Sequence, residues 1–213
     1  MVTMFFCRTE KKREELIKLY DISPVSHVKL LNGQVKRSCT GDQLTDSYYC
    51  FSYKEKGTDK YSTFLCGVHS AEHFLDLLKL PKIPLFNPLS SASSTSGQTS
   101  VGTVSGSKSS QSRKWHSAAE QLYTAINLLI VCWDTVPGNA LKDIKEKVEK
   151  YHYKEPFSSQ VKAINKIISY DSKGRTLQQM IDELRGQGNS VRNFRFNLLN
   201  DILANEKIES LYE

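Results

Sequence analysis

Cys39-Thr40-Gly41-Asp42, then Cys50, then Cys66-Gly67-Val68-His69 and His73 fall within 35 residues, and this stretch decides how the first half of the chain is read. It holds three of the five cysteines and two of the five histidines. Two runs between them, Ser47–Tyr53 and Lys60–Leu65, are rich in aromatic and β-branched residues and read as strands. The polar segment 54–59, with Gly57 inside it, joins them as a turn. A helix is expected directly after Cys66, with Phe74, Leu75, Leu77 and Leu78 as its apolar positions.

A turn bearing ligands, a β-hairpin, and a C-x2-H at a helix start form a layout that resembles treble-clef zinc modules, over residues 39–78. Zinc takes four thiolate, imidazole or carboxylate ligands in a tetrahedron, and a turn plus the first turn of a helix can supply them. The first half lacks a C-x2-C, since Cys39-x2 leads to Asp42. The fourth ligand therefore stays open among Asp42, Cys50 and His73. The preferred set is Cys39, Cys50, Cys66 and His69, with Zn2+ as the expected cofactor. His73, one turn beyond His69, would replace it or orient it from behind.

Length and composition agree with this layout. A chain of 213 residues, 39 % hydrophobic and 24 % charged, accommodates one large or two small soluble domains. No signal peptide is recognisable in the first residues, and the longest apolar run, Leu128–Trp133, is far too short to span a bilayer. An odd cysteine count with a C-x2-H spacing suggests reduced thiols and a cytoplasmic setting, with no membrane partner. The charge is mildly positive, and residues 1–37 carry eight basic against four acidic groups.

Read in order, residues 9–20 form a charged helix that Ile22-Ser23-Pro24 ends, and Val25–Leu31 is a candidate strand before an Asn32-Gly33 turn. Prolines 81, 84 and 88 favour an extended exit from the zinc-like helix, and Pro84, Leu85, Phe86 and Leu89 are apolar enough to dock on the helical domain. Residues 90–113 are mostly Ser, Gly and Thr and read as a flexible linker. From 114 to 213 the period is helical throughout. A strongly apolar first helix carries Leu122, Ile126, Leu129 and Ile130. Four more helices complete the pattern. They are marked by Leu141 to Val148, by Phe157 to Ile168, by the Thr176-x2-Gln179 capping box, and by a start near Ser190 with Phe194, Leu198 and Ile202 inward. The expected class is α+β: a zinc-stabilised hairpin and helix module at 1–89, the linker, and an all-α bundle at 114–213.

The last two helices, 176–203, resemble a helix-turn-helix. Arg192, Asn193, Arg195 and Asn197 would be its base- and phosphate-reading side chains. Residues 114–213 carry 14 basic and 13 acidic groups, however, too even a balance for a duplex-DNA reader. A protein partner ranks above nucleic acid on that ground. An HNH-like metal-dependent nuclease is the enzymatic alternative. It needs a general-base histidine near the first strand, and Thr40–Tyr49 has none. The preferred function is a non-catalytic binding or adaptor protein.

Overall fold

The structure is a computed structural model that describes residues 6–58, 60–90, 113–133 and 138–213. The segment read as a linker lies outside the described residues from 91 to 112. The α+β class holds. Helix α1 (Glu10–Leu19) leads into β1 (Tyr20–Lys29). After it come the hairpin β2 (Ser47–Glu55) and β3 (Tyr61–Gly67), α2 (Val68–Leu78) and the short β4 (Leu85–Phe86). Five helices complete the chain: α3 (Ser117–Cys132), α4 (Asn139–Lys150), α5 (Ser158–Ile168), α6 (Leu177–Gly186) and α7 (Asn197–Asn205).

The sheet order is β3-β2-β1-β4, with β3-β2-β1 antiparallel and β4 parallel to β1. β1 begins earlier than the sequence suggests and runs through Pro24. A bulge between Pro24 and Ser26 lets the strand continue past a residue that cannot donate to the ladder. Side chains alternate across the pleat, so β2 serves two cores. Tyr49 and Phe51 face α1 and α2, where they meet Ile22, Phe64, Cys66, Phe74 and Leu75. Tyr48 and Cys50 face the other way. With Val25 and Val28 they join a larger core built on Leu122, Ile126 and Leu129 of α3.

Residues on both sides of the Ser/Gly/Thr segment thus share one core. Phe86 and Leu89 dock on it as their apolar character suggests, and Leu89 pairs with Val191. A polar contact marks the centre of this junction. The Ser26 hydroxyl donates to Asn127 Oδ1 at 2.9 Å, and Asn127 Nδ2 donates to the Tyr123 carbonyl at 3.0 Å, all beneath the sheet. α3 is buried nearly all round, as its apolar sequence requires. In α6 the capping box forms as expected, and Leu177, Met180, Ile181 and Leu184 are all buried. Phe157 differs from expectation. It is the residue before α5 rather than part of its inward stripe, and it is 75 % exposed.

Asn127→Ala should lower stability by about 1–3 kcal/mol, because it leaves the Ser26 hydroxyl unpaired between sheet and helix. Urea unfolding can be followed by far-UV circular dichroism and by tryptophan fluorescence, which reports the two ends of α3 through Trp115 and Trp133. The two probes should give one coincident transition for both proteins. The midpoint should fall in the variant.

Candidate metal centre

Three segments that are distant in sequence bring Cys7, Cys39 and Cys66 together. Cys7 precedes α1, whose N-cap Thr9 accepts from the Lys12 N–H. Cys39 sits in a tight turn in which Gly41, at φ +88°, returns its N–H to the Ser38 carbonyl. The Cys39 N–H donates to the Leu65 carbonyl at 2.7 Å, and the Cys7 N–H donates to the Cys39 carbonyl at 3.1 Å. These bonds pin both cysteines beside Cys66 at the end of β3. All three are buried, and their sulfurs lie within 4.8 Å of one another. Cys7 and Cys39 are joined as a disulfide, and the Cys66 thiol lies 3.8 Å from the Cys39 sulfur. Two thiolates on one tetrahedral zinc, each about 2.3 Å from the metal, stand about 3.8 Å apart. The Cys39–Cys66 spacing therefore suits a shared metal, and Cys7 needs only to part from Cys39 to join them. Such a trio can hold a metal ion when reduced, or keep a disulfide beside a spare thiol when oxidised.

Arg13 organises the surroundings. It projects from α1, is only 3 % exposed, and donates from Nη1 to the carbonyls of Cys7 at 2.9 Å and Arg8 at 3.2 Å. Its Nε donates to His73 Nδ1 at 2.9 Å, which ties α1 to α2 across the cluster. Burial pushes the Cys66 thiol up to about 12, and the nearby Arg13 charge opposes this only in part.

The structure splits the expected ligands. Cys39 and Cys66 meet. Cys50 does not: it follows Tyr49, which pairs with Cys66, so the pleat turns it to the opposite face. There it is buried against the α3 core, with its thiol pushed up to about 12 by burial. Cys7 takes the place expected of Cys50. Asp42 lies in the same loop but turns outward, accepting from Thr40 Oγ1 at 2.7 Å and pairing with Arg8. His69, in the first turn of α2, is exposed and makes no side-chain hydrogen bond among the described residues. His73 is engaged by Arg13. His27 stacks on Tyr49 at 4.1 Å, and its ring nitrogens meet the Ile83 carbonyl and Ser47 Oγ.

Cys7 carries one signal in the sequence. A C-x2-H without a partner C-x2-C must draw a ligand from afar. Of the two cysteines outside the stretch, Cys132 is embedded in an apolar helical run, which leaves Cys7.

The helix-turn-helix reading fails on geometry. Residues 192–196 form no helix, and α7 starts only at Asn197. Arg192 is spent on the β4 exit, where its N–H meets the Pro88 carbonyl and its Nη2 the Asn87 carbonyl. Asn193 accepts from Arg185, and Asn197 accepts from Gln121. Arg195 is exposed but stands in this non-helical segment. Phe196, Leu199 and Leu203 point inward in place of the expected Phe194, Leu198 and Ile202, which are only partly buried. The extended entry removes the first helical turns on which the expected spacing rests.

A second feature is a cleft of 610 Å³ lined by Gln34, Trp133, Asp171, Arg175, Glu183 and Gln187, among others. Its charges satisfy one another. Asp171 accepts from Arg175 Nη2 at 2.7 Å, from Arg175 Nε at 3.0 Å and from Trp133 Nε1 at 3.3 Å, while Glu183 pairs with Arg175 and Lys173. The Arg175 hydrogen bonds hold the Asp171 carboxyl well below the usual carboxylate range. A depressed carboxyl stabilises the fold above its unfolded pKa, and that contribution is lost as pH falls through it towards the folded value. Asp171→Asn should thus cost about 1–3 kcal/mol near neutral pH. The difference from wild type should shrink progressively in urea titrations below about pH 4, the unfolded carboxyl pKa.

Comparisons with curated proteins and with solved structures return no match. Residues 7–210, which take in all three clustered cysteines, match the family described as Uncharacterised conserved protein UCP028583, and the chain belongs to that family.

Proposed function

We propose that this is a non-catalytic binding protein whose N-terminal half is held together by a structural zinc ion on Cys7, Cys39, Cys66 and His69. The observation that carries the reading is the convergence of three buried sulfurs from three separate segments, each positioned by backbone hydrogen bonds. His69 is the fourth ligand in this reading because it follows Cys66 by three residues at the start of α2 and makes no side-chain hydrogen bond among the described residues. His73 keeps its bond to Arg13 and acts from behind the site. A closed set of four ligands is what structural sites have, whereas a metallonuclease leaves a position open for water. The three thiolates require a reducing setting, which favours the cytoplasm. Thiols elsewhere, at buried Cys50 and half-buried Cys132, are pushed up to about 12 by desolvation and suit packing rather than nucleophilic attack.

Protein purified under reducing conditions should contain one zinc per chain by elemental mass spectrometry. Cys7→Ser, Cys66→Ser and His69→Ala should lose it and lower the thermal midpoint, while Cys50→Ser and His73→Ala should retain it. Cobalt substitution should give thiolate charge-transfer bands that disappear in Cys66→Ser. A fully reduced, metal-free protein that keeps its fold and binds no added zinc would overturn the reading.

A further inference from the structure

One surface outside the cysteine cluster combines cations that form no ion pair among the described residues with exposed aromatic rings. Two stretches form it. Arg113, Lys114 and Trp115 lead into α3, and Lys147 to Phe157 cover the end of α4 and the connection to α5. His152 joins them: its Nε2 meets the Arg113 carbonyl at 2.9 Å, and its backbone carbonyl accepts from the His116 N–H at 2.8 Å. The Arg113 guanidinium lies over the Tyr153 ring at 4.4 Å, and Trp115 packs on both His152 and Tyr123, at 4.9 and 5.0 Å.

Arg113, Lys114, Lys147, Lys150 and Lys154 are all exposed, and none forms an ion pair among the described residues. Glu120, Glu146, Glu149 and Glu155 are the nearby carboxylates in sequence, and Glu146 pairs with Lys142, so these five cations stand against three remaining carboxylates even though residues 114–213 are nearly neutral overall. Tyr151 is 46 % exposed and Phe157 75 %, both within the one connection between α4 and α5. Lys150 lies over the Tyr151 ring at 5.5 Å and Lys154 over the Tyr153 ring at 5.8 Å, so cations and rings are interleaved on this face.

We propose that this surface binds single-stranded nucleic acid. Unpaired cations track a phosphate backbone, and aromatic faces accept stacked bases whatever their sequence. A duplex keeps its bases stacked on one another and offers these rings nothing. An acidic protein segment would use the cations but not the rings. Such a ligand gives the binding function proposed above its partner and rests on that reading. It does not depend on the metal, because none of the surface residues belongs to the cysteine cluster.

The test is fluorescence anisotropy of a labelled fifteen-nucleotide oligothymidylate with the full chain across a salt series. Binding should weaken steeply with salt, with a log–log slope of about −0.7 for each phosphate contacted. Tyr151→Ala should weaken it about five- to a hundredfold, the range for loss of one base-stacking ring. Lys150→Gln with Lys154→Gln should flatten the salt slope. These side chains are exposed, so circular dichroism melts should match wild type. Absence of oligonucleotide binding, binding unchanged by either variant, or equal affinity for an oligoglutamate peptide or a duplex of the same length would overturn the proposal. Loss of zinc in Cys66→Ser with oligonucleotide binding intact would separate the two readings.

Discussion

The pleat of β2 is the constraint on which the rest of the structure depends. Its successive side chains must point to opposite faces, so Tyr49 and Phe51 build one core while Tyr48 and Cys50 build the other. A one-residue slip would exchange the two sets, sending two aromatic rings into the α3 interface and a small thiol into the aromatic core. The register with β3 sets Tyr49 opposite Cys66 and Cys50 opposite Leu65, which also decides which cysteine can reach the cluster. Core formation and the candidate metal centre are thus two consequences of one alternation.

That geometry explains why a cross-link belongs where the three cysteines meet. Residues 30–46, between β1 and β2, contain no helix or strand beyond an isolated Arg37–Gln43 bridge. Irregular connections of this length are uncommon in compact domains unless something fixes them. Leu31 and Leu44 anchor its two ends in the α3 core, and Cys39 holds its middle against β3 and the segment before α1. A metal shared by Cys7, Cys39 and Cys66 would join three backbone segments at a single point, and binding energy of that kind is folding energy. Arg13 suits such a centre, since a buried guanidinium beside several thiolates offsets their negative charge.

Local signals make much of this legible in the sequence. The hairpin, the helix after Cys66 and the capping box at Thr176 are each written in a few adjacent residues, and each forms. The misses share a physical character. Position in the chain puts Cys50 among the ligands, and only strand pairing shows which face it occupies. Nothing adjacent to Cys7 announces a ligand. The segment 190–196 has the composition of a helix start, yet its bonds to Pro88 and Asn87 hold it extended. The Ser/Gly/Thr segment hides the shared core, because composition reports where a chain is polar but not whether the parts on either side meet.

The cations of the helical half divide into those bound to carboxylates within the fold and those without an ion pair among the described residues. Asp171, Arg175, Glu183 and Lys173 are bound to one another around the cleft, so their charges are consumed by structure. Lys162 and Glu206 link α5 to the end of α7 in the same way. An ion-paired cation has little left for a ligand, because binding would first have to break the pair. Arg113, Lys114, Lys147, Lys150 and Lys154 form no ion pair among the described residues, and an anion would compete only with the Tyr153 ring beneath Arg113 and Lys154 and the Tyr151 ring beneath Lys150. Net charge over a domain hides this difference, since paired and unpaired groups count alike. A nearly neutral helical half can therefore still present a basic surface, and it does so where its aromatic rings are also exposed.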